Sequence, residues 1–173
     1  MGVKDRSTQR YTPNGDREVA VALILAQPVA GEWALVFVTS RNHASKLTLP
    51  KGGWESFESV EEAARREAIE ESGAHCIRCA SLEAWEHQEF INSGKQSRCL
   101  LHVVPLLFER FEDTWLEQAE RKRFLIPVEQ ITNGNSTLNI ENEEFTIKKE
   151  FVDVVRQHFK NDVFLALLKT LKT

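Results

Sequence analysis

Three glutamates, Glu67, Glu70 and Glu71, stand close together in a stretch whose spacing predicts a helix. At about 100° per residue they fall within an arc of roughly 100° on one helix face. Like charges on so narrow a face repel, which costs stability unless a positive charge sits among them. Carboxylate oxygens suit a hard divalent cation, Mg2+ or Mn2+, and such an ion would also bridge the phosphate oxygens of a substrate. The competing reading is an ordinary solvated acidic face, with Glu61–Arg65 and Glu62–Arg66 as supporting i,i+4 pairs. Against it stands a fixed framework. Gly52 is followed after five residues by Glu58, and after seven more by Arg66 and Glu67, with Gly73 closing the series.

The elements around these residues must hold them in register. Residues 59–72 read as a helix, opened by a capping box at Ser59 and Glu62 and stopped by Gly73 at its C-terminal cap. A short strand over residues 47–49 stops at Pro50. Lys51-Gly52-Gly53 then reads as a flexible stretch whose backbone can come close to a ligand. Upstream, residues 18–27 and 33–39 are apolar runs expected to be buried strands, separated by a turn at 28–32. Residues 41–46 read as a polar loop. Downstream, residues 76–90 are strand-like, residues 92–95 a turn, and residues 97–110 a strand. The apolar centre of that strand, residues 100–108, implies burial on both faces, with Pro105 marking a bulge or an edge. Residues 123–126 form a short strand, 133–139 a polar loop, and 144–159 and 162–171 have helical spacing. The expected organisation is an N-terminal arm, residues 1–16, and one α/β domain over 17–173 with a mixed β-sheet between helices.

A chain of 173 residues fits one domain whose core needs no staple, and 42% hydrophobic with 28% charged residues is the mix of a folded protein. The net charge of -4 removes the global basic field that nucleic-acid wrapping would use. No apolar run is long enough for a membrane helix. Three cysteines, Cys76, Cys79 and Cys99, together with polar N-terminal residues, set an expectation of a reducing compartment, the cytosol with access to the nucleus. Cys76-x2-Cys79 with His75 and His87 has the residue types of a zinc site. Odd spacing along a strand puts the two thiols on opposite faces, so buried or idle thiols are expected instead.

Gly52, Glu58, Arg66, Glu67, Glu70, Glu71 and Gly73 together match the Nudix box, G-x5-E-x7-R-E-U-x-E-E-x-G-U, at residues 52–74, with Ala68 and Ala74 as small members of the aliphatic class U. The sequence therefore resembles the Nudix hydrolases. The resemblance implies a Nudix α/β/α sandwich with a mixed β-sheet between helices, and a loop–helix–loop at the box. It implies that Gly52 (through its carbonyl), Glu67, Glu70 and Glu71 hold Mg2+ or Mn2+, and that Arg66 orients a neighbouring glutamate by a charge-assisted pair. Glu58 would hold the loop through an ion pair, and Glu67 or Glu71 would assist deprotonation of water. The implied reaction is attack of a metal-activated water on one phosphorus of a diphosphate.

The stretch Phe37-Val-Thr-Ser-Arg41 leading to Leu49-Pro-Lys-Gly-Gly-Trp54-Glu55 resembles the diphosphoinositol polyphosphate phosphohydrolases, a branch that also cleaves diadenosine polyphosphates. Tyr11-Thr-Pro-Asn-Gly-Asp-Arg17, then Glu112-Asp113 with Trp115 and Arg121-Lys122-Arg123, are similar to further stretches of that branch, whereas residues 131–173 match poorly. The resemblance implies a small polyphosphorylated substrate held by Arg10, Arg17, Ser40, Arg41, Lys46, Lys51, Gly52, Gly53, Arg98, Arg121 and Arg123, with Lys95 as a further cation near a turn. Several cations must converge on such a substrate, and arginine grips phosphate bidentately. Trp54 reads either as a stacking surface for adenine or as a loop anchor. A monomer is expected, with neither nucleic acid nor membrane as partner. The alternatives are an enzyme directed at ADP-ribose or nucleoside triphosphates, and a Nudix domain that binds a ligand without catalysis.

Overall fold

The computed structural model describes residues 7–78, 80–83, 85–93, 98–133 and 136–171. Its central strand is β1 (Arg17–Val29). Alternation along β1 turns Val19, Val21, Leu23 and Leu25 toward one core, and Ala20, Ala22 and Ile24 toward the other. Both faces are apolar because both are covered. β2 (Glu32–Thr39) folds back antiparallel on the end of β1, and β3 (Lys46–Thr48) pairs with the end of β2. The chain then crosses back, so that β4 (Lys51–Gly53) lies antiparallel to the start of β1 with Gly52 opposite Ala20. The expected flexible glycine stretch is therefore a strand, fixed by this pairing. Seven residues after Gly53, α1 (Val60–Ser72) begins, with Ser59 accepting a hydrogen bond from the Glu62 N–H, and it ends at Gly73 with φ 68°.

After α1 come β5 (Ala74–Ile77), a short helical turn α2 (Ala80–Glu83), β6 (Gln88–Ser93) and the long β7 (Arg98–Phe111). The strand-like stretch at 76–90 is thus two strands around a helical turn. Its apolar residues do not alternate: Leu82 and Trp85 pack into the core from the turn. β7 runs parallel to β1 and carries β6 and β5 in succession on its other edge. β6 pairing stops at Val103 and β5 pairing starts at Leu107, so Pro105 falls in the gap, where its missing N–H breaks no ladder on that edge.

β8 (Arg123–Pro127) pairs with β2, and α3 (Val128–Thr132) follows it. A hairpin of β9 (Thr137–Ile140) and β10 (Glu143–Ile147) comes next, then α4 (Lys149–Phe159) and α5 (Asp162–Leu168). The hairpin corrects two expectations, the polar loop over 133–139 and the helix starting at 144. Its turn places Glu141 and Asn142 at φ 52° and 66°, the positive pair of a two-residue hairpin loop. Without a glycine at either place, the turn carries little signal in the sequence. β10 also pairs in parallel with β3, which extends the sheet.

The sheet order is β5-β7-β1-β2-β3-β10-β9, with β4 on β1, β6 on β7 and β8 on β2, in mixed directions. α1 covers one face and α4 and α5 cover the other, giving an α/β/α sandwich with a mixed sheet between helices. The α1 side is built from Ala20 and Ala22 against Ala63, Ala64 and Ala68. Small side chains on both surfaces let the helix approach the sheet closely, which sets the glutamates against β4. Among the described residues no helix is long and apolar enough to cross a membrane.

Candidate active site

The buried stripe of α1 is Ala63, Ala64, Glu67, Ala68, Glu71 and Ser72, so two of the three clustered glutamates face inward. Glu67 is 2% exposed and Glu71 4%. Burying carboxylates on an inward stripe is costly unless positive charge meets them. Arg66 supplies part of it. Its guanidinium grips Glu58 with two bonds, Nε to Oε2 at 3.1 Å and Nη2 to Oε1 at 2.6 Å. It also donates to Glu67 Oε1 at 2.8 Å and to the Gly53 carbonyl at 3.1 Å, and lies 3.6 Å from Glu70 Oε2. One side chain thereby ties helix, loop and strand together, and the Glu58 carboxylate also accepts the Glu55 N–H. On the other side, Glu71 accepts the Lys51 N–H at 3.0 Å and pairs with Arg121 at 2.9 Å. Even so, burial first, and then the neighbouring Glu67, push the Glu71 carboxyl up to about 7, against the opposing pull of Arg121.

Gly52 has a steric reason: a Cβ there would overlap the Glu67 carboxylate. A Cβ on Gly53 would overlap the Gln9 side-chain amide. The glycines bring the β4 backbone against Glu67 on one side and against the N-terminal arm on the other. Thr8, Gln9 and Arg10 of the arm pack against the loop that follows β4. Arg10 N–H donates to the Trp54 carbonyl, Ser56 N–H to the Thr8 carbonyl, and the Thr8 hydroxyl to Glu55 at 2.6 Å.

The cations expected to contact substrate separate into groups. Arg10 pairs with Glu18 at 3.2 Å and stacks over the Trp54 ring at 3.6 Å. Arg17 donates to Gln9 at 3.1 Å beside Gly53. With its indole N–H on the Glu58 carbonyl and one face under Arg10, Trp54 anchors the loop. Lys46, Lys51 and Arg121 converge near Lys148, a residue the sequence reading passed over. Burial chiefly, and then the charges of Lys51, Arg121 and Lys46, lower the Lys148 pKa from its ordinary value. Ser40 is buried, Arg41 pairs with Glu117, and Arg98 pairs with Asp16 at 3.3 Å. Arg123 lies between the Phe111 and Trp115 rings and donates to the carbonyls of Ser72 and Glu112, so it closes the C-terminus of α1. Lys95 lies outside the described residues.

A second group of potential ligands lies two strands away. His87, Glu89 and His102 place one ligand atom each within 4.8 Å of one another and could hold a metal ion. Burial first, then the charge of His87, lower the His102 pKa, so its ring is neutral near pH 7. Sequence reading missed His102, although a histidine inside an otherwise apolar run is itself a signal. His75 pairs with Glu112 at 2.9 Å, Cys76 is a buried free thiol, and Cys79 lies outside the described residues.

Residues 16–151 match the family model of the NUDIX domain. Over 130 residues the chain is 32% identical to Nudix hydrolase 18, mitochondrial, of Arabidopsis thaliana, covering 72% of this chain and 72% of that protein. Over 124 residues it is 34% identical to Nudix hydrolase 21, chloroplastic, of the same plant, covering 68% of this chain and only 59% of that one. Neither name states a substrate. A crystal structure of a C. elegans Ap4A hydrolase binary complex has the same fold, with a TM-score of 0.57 at 17% identity, covering 89% of this chain and 98% of that chain. The family match takes in β1, β4, the whole of α1 and the opposing β7 and β10, and on that ground the chain belongs to the NUDIX domain family.

Proposed function

We propose that the protein is a metal-dependent phosphoanhydride hydrolase whose preferred substrates are diphosphoinositol polyphosphates, with diadenosine polyphosphates also accepted. One juxtaposition carries the reading: carboxylates buried on α1 stand beside a group of cations, Lys46, Lys51, Arg121 and Lys148, that crowd one another. Each half is costly alone. A divalent cation relieves the first, and a substrate bearing many negative charges relieves the second.

The donor set fits Mg2+ or Mn2+. It is all oxygen, it includes a carboxyl that burial holds near neutrality without a cation, and a side chain on Gly52 would fill the space against Glu67. Glu67, Glu70, Glu71 and the Gly52 carbonyl would hold the ion, which when bound supplies Lewis-acid polarisation of phosphate oxygens and a lowered pKa for the nucleophilic water. Arg66 keeps Glu67 and Glu58 in fixed orientation. Glu67 or Glu71 takes the proton of the attacking water. Lys46, Lys51 and Lys148 hold the phosphates, with Arg17 beside Gly53, and Arg121, which also pairs with Glu71 and Glu117, joins them through its remaining N–H groups. Arg123, engaged with the helix end, is left out of this set. Arg10, Ser40, Arg41 and Arg98 act at most through their own partners.

A substrate panel with Mg2+ tests the proposal, comparing kcat/KM for inositol pyrophosphates, diadenosine polyphosphates and ADP-ribose. The expected order puts the inositol pyrophosphates first. Efficient cleavage of ADP-ribose beside negligible action on the other two overturns the substrate assignment. Absence of phosphate release from every substrate overturns the hydrolase reading itself.

A further inference from the structure

Glu89 on β6 stands directly across from His102 on β7, and His87 comes just before β6. His87 Nε2 lies 3.1 Å from His102 Nδ1, and Glu89 Oε1 lies 3.6 Å from the same nitrogen. A tetrahedral ion with bonds of about 2.0–2.1 Å holds its ligands roughly 3.3–3.4 Å apart. The two spacings from His102 Nδ1 therefore already approach those of a coordination sphere, and all three ligand atoms lie within 4.8 Å of one another. Behind His102, its Nε2 meets Glu18 Oε1 at 3.2 Å, and Arg10 holds the other oxygen of Glu18 at 3.2 Å. A carboxylate behind a histidine fixes the tautomer: Nε2 donates, and the Nδ1 lone pair turns toward His87 and Glu89. The Trp54 ring, edge-on to His102 with centroids 4.9 Å apart, restrains the imidazole further.

We propose that His87, Glu89 and His102 form a second metal site, selective for Zn2+, with Glu18 as its outer carboxylate. Two imidazoles and one carboxylate suit Zn2+ and disfavour Mg2+, which takes oxygen ligands. Three protein ligands leave a fourth position for water, and the Glu89 side chain, 57% exposed, opens the site to solvent. The site is separate from the glutamates of α1. Ala20 pairs with Gly52 on one side and with His102 on the other, so two strand spacings separate the two. Zn2+ there would tie β6 to the ring that packs on Trp54, and through Trp54 to the loop before α1.

The test is equilibrium dialysis of the full chain against Zn2+ in excess Mg2+, with metal counted per chain, and Co2+ substitution read by its visible absorption. About one Zn2+ per chain is expected, not displaced by Mg2+, with the absorption of four-coordinate Co2+. His87→Gln and Glu89→Gln, at the more accessible ligands, should lose that binding while their thermal melts stay cooperative. Glu18→Gln should weaken it by about 10–100-fold with all ligands present. Glu70→Gln should leave it unchanged. No Zn2+ uptake by the wild type, uptake unaltered by His87→Gln and Glu89→Gln, or uptake lost in Glu70→Gln would each overturn the proposal. None of these readouts depends on hydrolysis.

Discussion

Glu71 is the residue whose environment most conflicts with its charge. Its carboxyl is raised from 4.5 to about 7 by burial first and then by Glu67. Between those values the native state keeps a proton that the unfolded chain releases, so the metal-free protein should lose stability as pH rises from about 4.5 to about 7. At about 1.4 kcal/mol per pKa unit the loss is at most roughly 3.5 kcal/mol. Mg2+ binds the ionised form, and should therefore raise Tm more at about pH 8 than at about pH 5.5. Glu71→Gln should flatten the pH dependence and remove most of the Mg2+ increment. Thermal melts with chelator and with Mg2+ measure all of this, and an equal increment at both pH values would count against Glu71 as a ligand. At Arg66 the prediction is kinetic. Lysine cannot reproduce the fork that serves Glu58, Glu67 and Gly53 at once. Arg66→Lys should lower kcat by about 100-fold with a smaller change in KM, whereas a change confined to KM would make Arg66 a substrate ligand.

The same site depends on elements that hold it from below. α1 starts at Ser59 and stops at Gly73, and the two glycines fixed by the box pattern, Gly52 and Gly73, do different work. Gly52→Ala would drive a Cβ into the Glu67 carboxylate, so metal-dependent turnover should fall steeply while the fold survives. Gly73→Ala puts a side chain in a left-handed conformation, at about 1 kcal/mol, with its Cβ 3.0 Å from Arg123 and Trp115. It should lower Tm by several degrees and leave the metal requirement intact. Comparing chemical-denaturation midpoints with kcat for the two variants separates a positioning effect from a stability effect. Similar losses of stability and activity in both would deny the division.

The whole molecule carries a net charge of -4, yet Lys46, Lys51, Arg121 and Lys148 gather on one side of the α1 carboxylates. These cations come from β3, β4, the segment before β8 and the start of α4, so only the closed sandwich assembles them. If they hold phosphates, KM for an inositol pyrophosphate should rise with ionic strength, because attraction between exposed charges is screened over about 8–10 Å. Lys148→Ala should raise KM for that substrate and reduce the salt dependence, while changing ADP-ribose turnover little. Initial rates over a salt series decide it: equal effects on both substrates would mean Lys148 acts on the fold and not on phosphate.

The box helix was legible in the chain because its signals are local. A capping box, a glycine cap and glutamates three and four residues apart depend on residues within a few turns of one another, and so do the apolar runs that became β1 and β2. The burial of Glu67 and Glu71 was not legible, because it follows from Ala20 and Ala22 of β1 letting α1 come close. Nor was β4, since Lys51-Gly52-Gly53 has no strand propensity and is held extended only by pairing with β1. The hairpin of β9 and β10 lacks glycine at its turn, and its apolar spacing is short enough to pass for helix. Sequence alone determined which carboxylates the box carries, their order and the family. The tertiary structure decided which cations reach that box: it brought in Lys148, at the start of α4, where the sequence alone marked no site residue, and committed Arg123 to the end of α1. The physical reason is range, because caps and helix faces are set by neighbours in the chain, whereas burial and charge convergence are set by strands that meet only when the sheet closes.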